Sequence, residues 1–126
     1  MKYLLDTVTL VRHFTKSGEI GKRAKNILKK SENTFILSVV SLMEILYLSE
    51  KHRIRIDLNK TIKRIEASSK YSVADLTSDV IIVAKDVAFY ELHDRLILST
   101  AKYLDIPIIS CDKKFEKLQD VKVILD

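Results

Sequence analysis

A chain of 126 residues makes one domain, expected to span residues 1–126 and long enough to bury a core of its own. Apolar residues form 47% of it and charged residues 31%, a globular composition, and no apolar run approaches the roughly 18 residues of a membrane span. The formal net charge of +5 suits a phosphate-bearing partner such as RNA as readily as a lysine-rich solvated surface, and the lone cysteine, Cys111, excludes an internal disulfide and fits a reducing cytoplasm.

In chain order, Tyr3-Leu4-Leu5 reads as a short buried strand over residues 2–5, closed at once by Asp6. An acid this early also makes the start of the chain a poor signal peptide. Residues 9–16 and 19–30 read as helices, with Gly18 and Gly21 at the break. Thr34-Phe35-Ile36-Leu37 is a second strand, and Ser38 can cap a helix that runs to about His52. Residues 58–69 form a further helix and Tyr71-Ser72-Val73 a third strand. Thr77, Ser78 or Asp79 can cap a helix through about Ala88, and Glu91–Leu104 is helical. Residues 107–110 form the fourth strand, with Pro107 at its start, where proline is tolerated. Val121-Lys122-Val123-Ile124 closes the sheet. Short apolar strands alternating with longer helices predict an α/β fold, a three-layer α/β/α sandwich around a parallel sheet of four to five strands.

That topology gives four acids a common address. Ligand sites in parallel sheets lie outside the carboxyl ends of the strands. Asp6 and Asp112 follow strands directly. Asp94 lies in the first turn of the helix that feeds the fourth strand, so it starts from the same edge. Glu44 lies six residues past Ser38, roughly 9 Å along a helix axis, within reach of a side chain that leans back toward the helix N-terminus. A carboxylate among apolar neighbours is costly without a cation to compensate it, and four together suggest a divalent metal and phosphate chemistry. Oxygen ligands without a His or Cys cluster favour Mg²⁺ or Mn²⁺. Plainer roles exist for each: Asp6 and Asp112 as turn caps, Ser41-x-x-Glu44 as a capping box, Asp94 as a complement to its helix dipole or a partner of Arg95. Glu91 is either a fifth carboxylate at the rim or a solvated acid at a helix start.

The ordered set Tyr3-Leu4-Leu5-Asp6-Thr7, Ser38-Val39-Val40-Ser41-Leu42-Met43-Glu44-Ile45, His93-Asp94-Arg95-Leu96-Ile97-Leu98-Ser99-Thr100-Ala101 and Ile108-Ile109-Ser110-Cys111-Asp112-Lys113-Lys114-Phe115 resembles a PIN domain. More narrowly, it resembles the VapC-like toxin ribonucleases of type II toxin–antitoxin pairs. The resemblance implies that Asp6, Glu44, Asp94 and Asp112 bind the metal, and that RNA is cut to 5′-phosphate and 3′-hydroxyl ends. It also implies a cognate antitoxin and a homodimer. Ser110 stands where the family often has threonine. Val8 stands where the family often has Asn or Ser, which leaves Thr7 or Thr9 to supply a polar group beside Asp6.

Further residues have two readings. Arg12, Lys113 and Lys114 could contact RNA phosphate near the acids. Lys22, Arg23, Lys25, Lys29 and Lys30 could track an RNA backbone or form a solvated helix face. His13, His52 and His93 make no metal motif. Tyr47, Phe35 and Phe115 read as core. A non-catalytic PIN-fold module that binds RNA or protein is the alternative function. A receiver-like phosphotransfer domain is disfavoured because the first strand supplies only Asp6.

Overall fold

A computed structural model describes residues 1–126. The elements are β1 (Lys2–Leu5), α1 (Thr7–Thr15), α2 (Lys22–Lys29), β2 (Thr34–Ser38), α3 (Val39–Glu50), α4 (Leu58–Glu66), β3 (Tyr71–Ala74), α5 (Ser78–Ala84), α6 (Leu92–Leu104), β4 (Ile108–Ser110) and β5 (Val123–Leu125). A single 3-10 turn, Lys113–Phe115, lies between the last two strands. The strands form one sheet in the order β3-β2-β1-β4-β5, and every pairing is parallel. Tyr3 stands opposite Phe35 and Leu5 opposite Leu37, while Leu4 and Leu5 face Ile108 and Ile109 on the other side of β1.

The alternation of side chains along the strands divides the core in two. Tyr3, Leu5, Phe35, Leu37 and Ile109 point to one face, where Leu10 of α1, Ala24 and Leu28 of α2, and Ile65 of α4 cover them. Leu4 and Ile108 point to the other, under Ile97, Leu98 and Ala101 of α6, with Phe115 and Val121. Helices on both faces explain why β1 reads as an unbroken apolar run: Tyr3, Leu4 and Leu5 are all buried. The expected three-layer α/β/α architecture is the one observed.

Element boundaries differ from the sequence expectations where capping decides them. The Asp6 side chain accepts from the Thr9 N–H and so starts α1 at Thr7, two residues early; Lys16 ends it in the left-handed conformation. The helix expected over 19–30 begins only at Lys22. Gly18, at φ +71°, still belongs to the turn, and Gly21 is the N-cap. The helix expected to reach Ala88 stops at Ala84, and α4 stops at Glu66 rather than 69. The last strand is shifted to Val123–Leu125 because β5 takes its register from β4, Ile108 pairing with Val123. Tyr47, expected in the core, is half exposed, with the Lys51 ammonium 5.8 Å over its ring; Phe35 and Phe115 are buried as expected.

Gly21 cannot supply a capping side chain. Asp126 does so from across the molecule, its Oδ2 accepting from the Ala24 N–H at 2.7 Å. A Cβ on residue 21 would collide with that carboxylate. Asp126→Ala is therefore expected to cost about 1 kcal/mol of stability, the usual worth of an N-cap, read as a lower urea midpoint at unchanged m-value. Gly21→Ala should cost at least as much by evicting the same cap.

Candidate metal centre

The strand order reverses at β1: the chain passes from β1 out to β2 and β3, then returns to β4 on the other side. The crevice outside the carboxyl ends of β1 and β4 is the switch point where open α/β sheets place ligands. Asp6 follows β1 there, and Ser110 ends β4. Asp112 lies two residues beyond Ser110. The helix α3 leaves β2 at the same edge carrying Glu44, and α6 begins there with Asp94 in its first turn.

Hydroxyl groups fix this edge. Asp6 is buried, and both of its oxygens are engaged: Oδ1 accepts from the Thr9 N–H at 2.9 Å and Oδ2 accepts from the Ser110 hydroxyl. Ser110 Oγ in turn accepts from the Asp112 N–H at 3.0 Å, so one hydroxyl ties β1, β4 and the turn after β4 together. The Thr7 hydroxyl donates to Glu44 Oε1 at 2.6 Å, with Ser41 Oγ 2.9 Å away. That contact holds α3 against α1 and aims the glutamate at the edge. Asp112 accepts from the Lys114 N–H at 2.9 Å and caps the 3-10 turn.

The acids feel one another. Asp94 has its carboxyl pushed up to about 7, first by burial and then by the negative charges of Glu91, Glu44, Asp112 and Asp6. Asp6 is also raised, chiefly by burial, with Asp112 adding to it while Ser110 and Thr9 oppose. No lysine or arginine relieves this: the one ion pair in the molecule joins His93 Nδ1 to Glu91 Oε1 at 3.4 Å. Glu91 itself is the N-cap of α6, accepting from the N–H groups of His93 and Asp94, and is exposed. Its pKa is lowered: burial would raise it, but those N–H groups and His93 outweigh burial.

The donor set suits a hard divalent cation: carboxylate oxygens, mutually repelling, without a protein counter-charge. No three His, Cys, Asp or Glu side chains stand at chelating separation.

Of the other expected residues, Thr7 and Ser110 lie in the site as hydrogen-bond donors to acids. Val8 is half exposed, whereas Thr9 is buried and donates its backbone N–H to Asp6. The capping-box reading of Ser41 and Glu44 does not hold, since Ser38 caps α3 and Ser41 meets Thr7. The cap readings of Asp6 and Asp112 do hold, alongside their shared edge. Lys113 and Lys114 are exposed at the turn after β4. Arg12 reaches toward this region, with Nη1 2.7 Å from the Glu19 carbonyl, to which it donates, and 3.5 Å from Cys111 Sγ. Ser41 and the capping role of Glu91 were not singled out by sequence as parts of the site. The i−3 spacing from Glu44 and from Asp94 was the available signal.

A family model for the PIN domain matches residues 3–121. The chain belongs to the PIN domain family. This PIN domain has the fold of several solved toxin–antitoxin chains. One is from VapBC2 of Rickettsia felis bound to a DNA fragment from its promoter, at 17% identity and TM-score 0.70, covering 98% of this chain and 97% of that one. DNA-bound VapBC from Salmonella typhimurium matches at 19% identity and TM-score 0.67, covering 98% and 96%. VapBC-1 from nontypeable Haemophilus influenzae matches at 16% and 0.68, covering 99% and 98%. No curated protein matches the sequence.

In the folded chain Asp94 keeps its proton up to about pH 7, and on unfolding it loses it near its ordinary 3.8. The folded state therefore binds the extra proton between those values, and stability falls as pH rises through that window. In EDTA, Asp94→Asn should gain thermal stability relative to the parent as pH is raised from about 5 to about 8. It should also lose most of the stabilisation that Mn²⁺ gives the parent. Ser110→Ala leaves the Asp6 carboxylate and the Asp112 N–H each short of a partner and should cost about 1–3 kcal/mol in denaturant unfolding, with Ser110→Thr restoring most of it.

Proposed function

We propose that this PIN domain is a Mg²⁺- or Mn²⁺-dependent endoribonuclease, the toxin of a type II toxin–antitoxin pair. The carrying observation is the uncompensated group of acids at the β1/β4 switch point, where Asp94 is pushed to about 7 by burial and then by the charges around it. Asp6 and Asp94 are assigned as direct ligands, Glu44 as a third, and Asp112 as a ligand through water. A bound ion supplies Lewis acidity to the scissile phosphate and lowers the pKa of its water.

The chain's own part is placement and electrostatics. Ser110 and Thr9 hold Asp6 rigid, and Thr7 holds Glu44, so two carboxylates are oriented before substrate arrives. Burial of Asp6 strengthens its interaction with any cation at the edge. The basic balance of the chain, +5 overall, favours approach of RNA despite the acidic edge. Cleavage at the 3′ oxygen side would leave 5′-phosphate and 3′-hydroxyl ends.

The neighbours of this fold come from toxin–antitoxin complexes, which supports a cognate antitoxin as partner. Val39, Met43 and Tyr47, exposed at four-residue spacing on α3, and Ile81 and Ile82 on α5 offer apolar surface for a protein partner or a second copy. The non-catalytic module remains the second reading, favoured by the lack of a preassembled chelating triad.

Purified protein should cut RNA with Mg²⁺ or Mn²⁺ and stop in EDTA. Asp6→Asn or Asp94→Asn should lower the rate by at least about 100-fold, the loss expected for several kcal/mol of ion-mediated stabilisation, while circular dichroism stays unchanged. RNA binding without metal-dependent cutting would favour the binding module.

A further inference from the structure

A cavity of about 440 Å³ opens between α1, α2 and α4. Five cationic side chains line it, Arg12, Lys16, Lys25, Lys29 and Arg64, and no carboxylate does. Two of the five are held in place. The Arg64 guanidinium lies 4.1 Å from the Phe14 ring centre and donates to the Phe14 carbonyl at 3.0 Å. Arg12 is fixed on the Glu19 carbonyl, and a Cβ at Gly18 would press on its side chain, so that glycine keeps the wall open. Like charges gathered around a concavity repel, and an anion that fills it removes the penalty.

One side chain of the cavity's wall reaches toward the acidic edge. Arg12 lies on its wall and touches Cys111, which stands between Ser110 and Asp112. An anion bound there would belong to a chain long enough to reach the acids, and a nucleic-acid backbone carries its charges at regular short intervals. No Phe, Tyr or Trp lines the cavity, which favours recognition of phosphate over base.

Resting on the nuclease reading above, we propose that this cavity binds backbone phosphates of the single-stranded RNA that is cut at the acidic edge, as a subsite outside the catalytic groups. His13 lies half-buried on the cavity wall. It donates to or accepts from the Tyr71 hydroxyl at 2.7 Å, and its pKa is lowered to about 4 by burial and then by Arg64, Lys70 and Lys16.

The test is anisotropy of a labelled single-stranded RNA 12-mer titrated with the full chain in EDTA, across a series of NaCl concentrations. Lys25→Gln with Lys29→Gln changes two exposed cavity residues whose side chains make no hydrogen bond or ion pair. Lys2→Gln with Lys122→Gln removes the same charge at the opposite, amino-terminal edge of the sheet. The cavity pair should weaken binding roughly tenfold at low salt and make the slope of log K against log salt shallower by about 1.4, two contacts at about 0.7 each. The control pair should stay near the parent. Equal weakening by both pairs would mean a diffuse field and overturn the subsite. Unchanged RNA affinity with the cavity pair, together with reduced binding of a polyglutamate peptide, would also overturn it and reassign the cavity to an acidic protein segment. Parent protein that binds RNA in EDTA but never cuts it with Mg²⁺ or Mn²⁺ would sink the nuclease reading while leaving the cavity measurement standing.

Discussion

Parallel strands all finish on one side of a sheet, and that constraint governs this molecule. Every residue placed just after a strand, or at the start of a helix leading back into one, is delivered to the same edge. Four carboxylates occupy such positions, with no basic side chain paired to any of them. Their mutual repulsion is a standing cost of the fold, tolerated because Ser110, Thr7 and Thr9 distribute hydrogen bonds among them. The edge is thus stiff in its backbone and hydroxyl framework and strained only in its charge.

Charge strain of this kind couples stability to occupancy. A proton relieves it at Asp94, whose carboxyl stays protonated up to about 7, and a divalent cation would relieve it more fully. On the far side of α1 the imbalance has the opposite sign, where Arg12, Lys16, Lys25, Lys29 and Arg64 surround a cavity. One short helix therefore separates a negative edge from a positive pocket, and on the proposed reading a polyanion with a bound cation would complement both. Net charge alone would have described neither.

Much of this was legible in the sequence because it depends on spacing. Four apolar runs of strand length, separated by segments with helical periodicity, leave few alternatives to a parallel sheet, and Asp6 and Asp112 declare their positions by ending such runs. Asp94 and Glu44 were locatable because helix rise fixes how far each lies from the edge. The ends of elements were less legible because caps compete: Asp6 is both a site acid and the N-cap of α1, and Asp126 caps α2 from 102 residues away. The cationic cavity was visible only as a basic stretch on one helix. Arg64 comes from α4, distant in sequence, and no local pattern announces that its guanidinium will lie on Phe14 beside Lys25 and Lys29. The exposure of Tyr47 was missed for a related reason, since an aromatic at helical spacing on an apolar helix looks like core until a neighbour fails to cover it.

The reach of Asp126 to Ala24 bears on how the protein comes into being. A contact over so long a separation forms late, after β5 has found β4 and the sheet is nearly complete. During synthesis, the helix carrying Lys25 and Lys29 emerges 102 residues before the side chain that caps it. Until that residue has emerged and β5 has docked on β4, α2 would hold its cationic face only loosely.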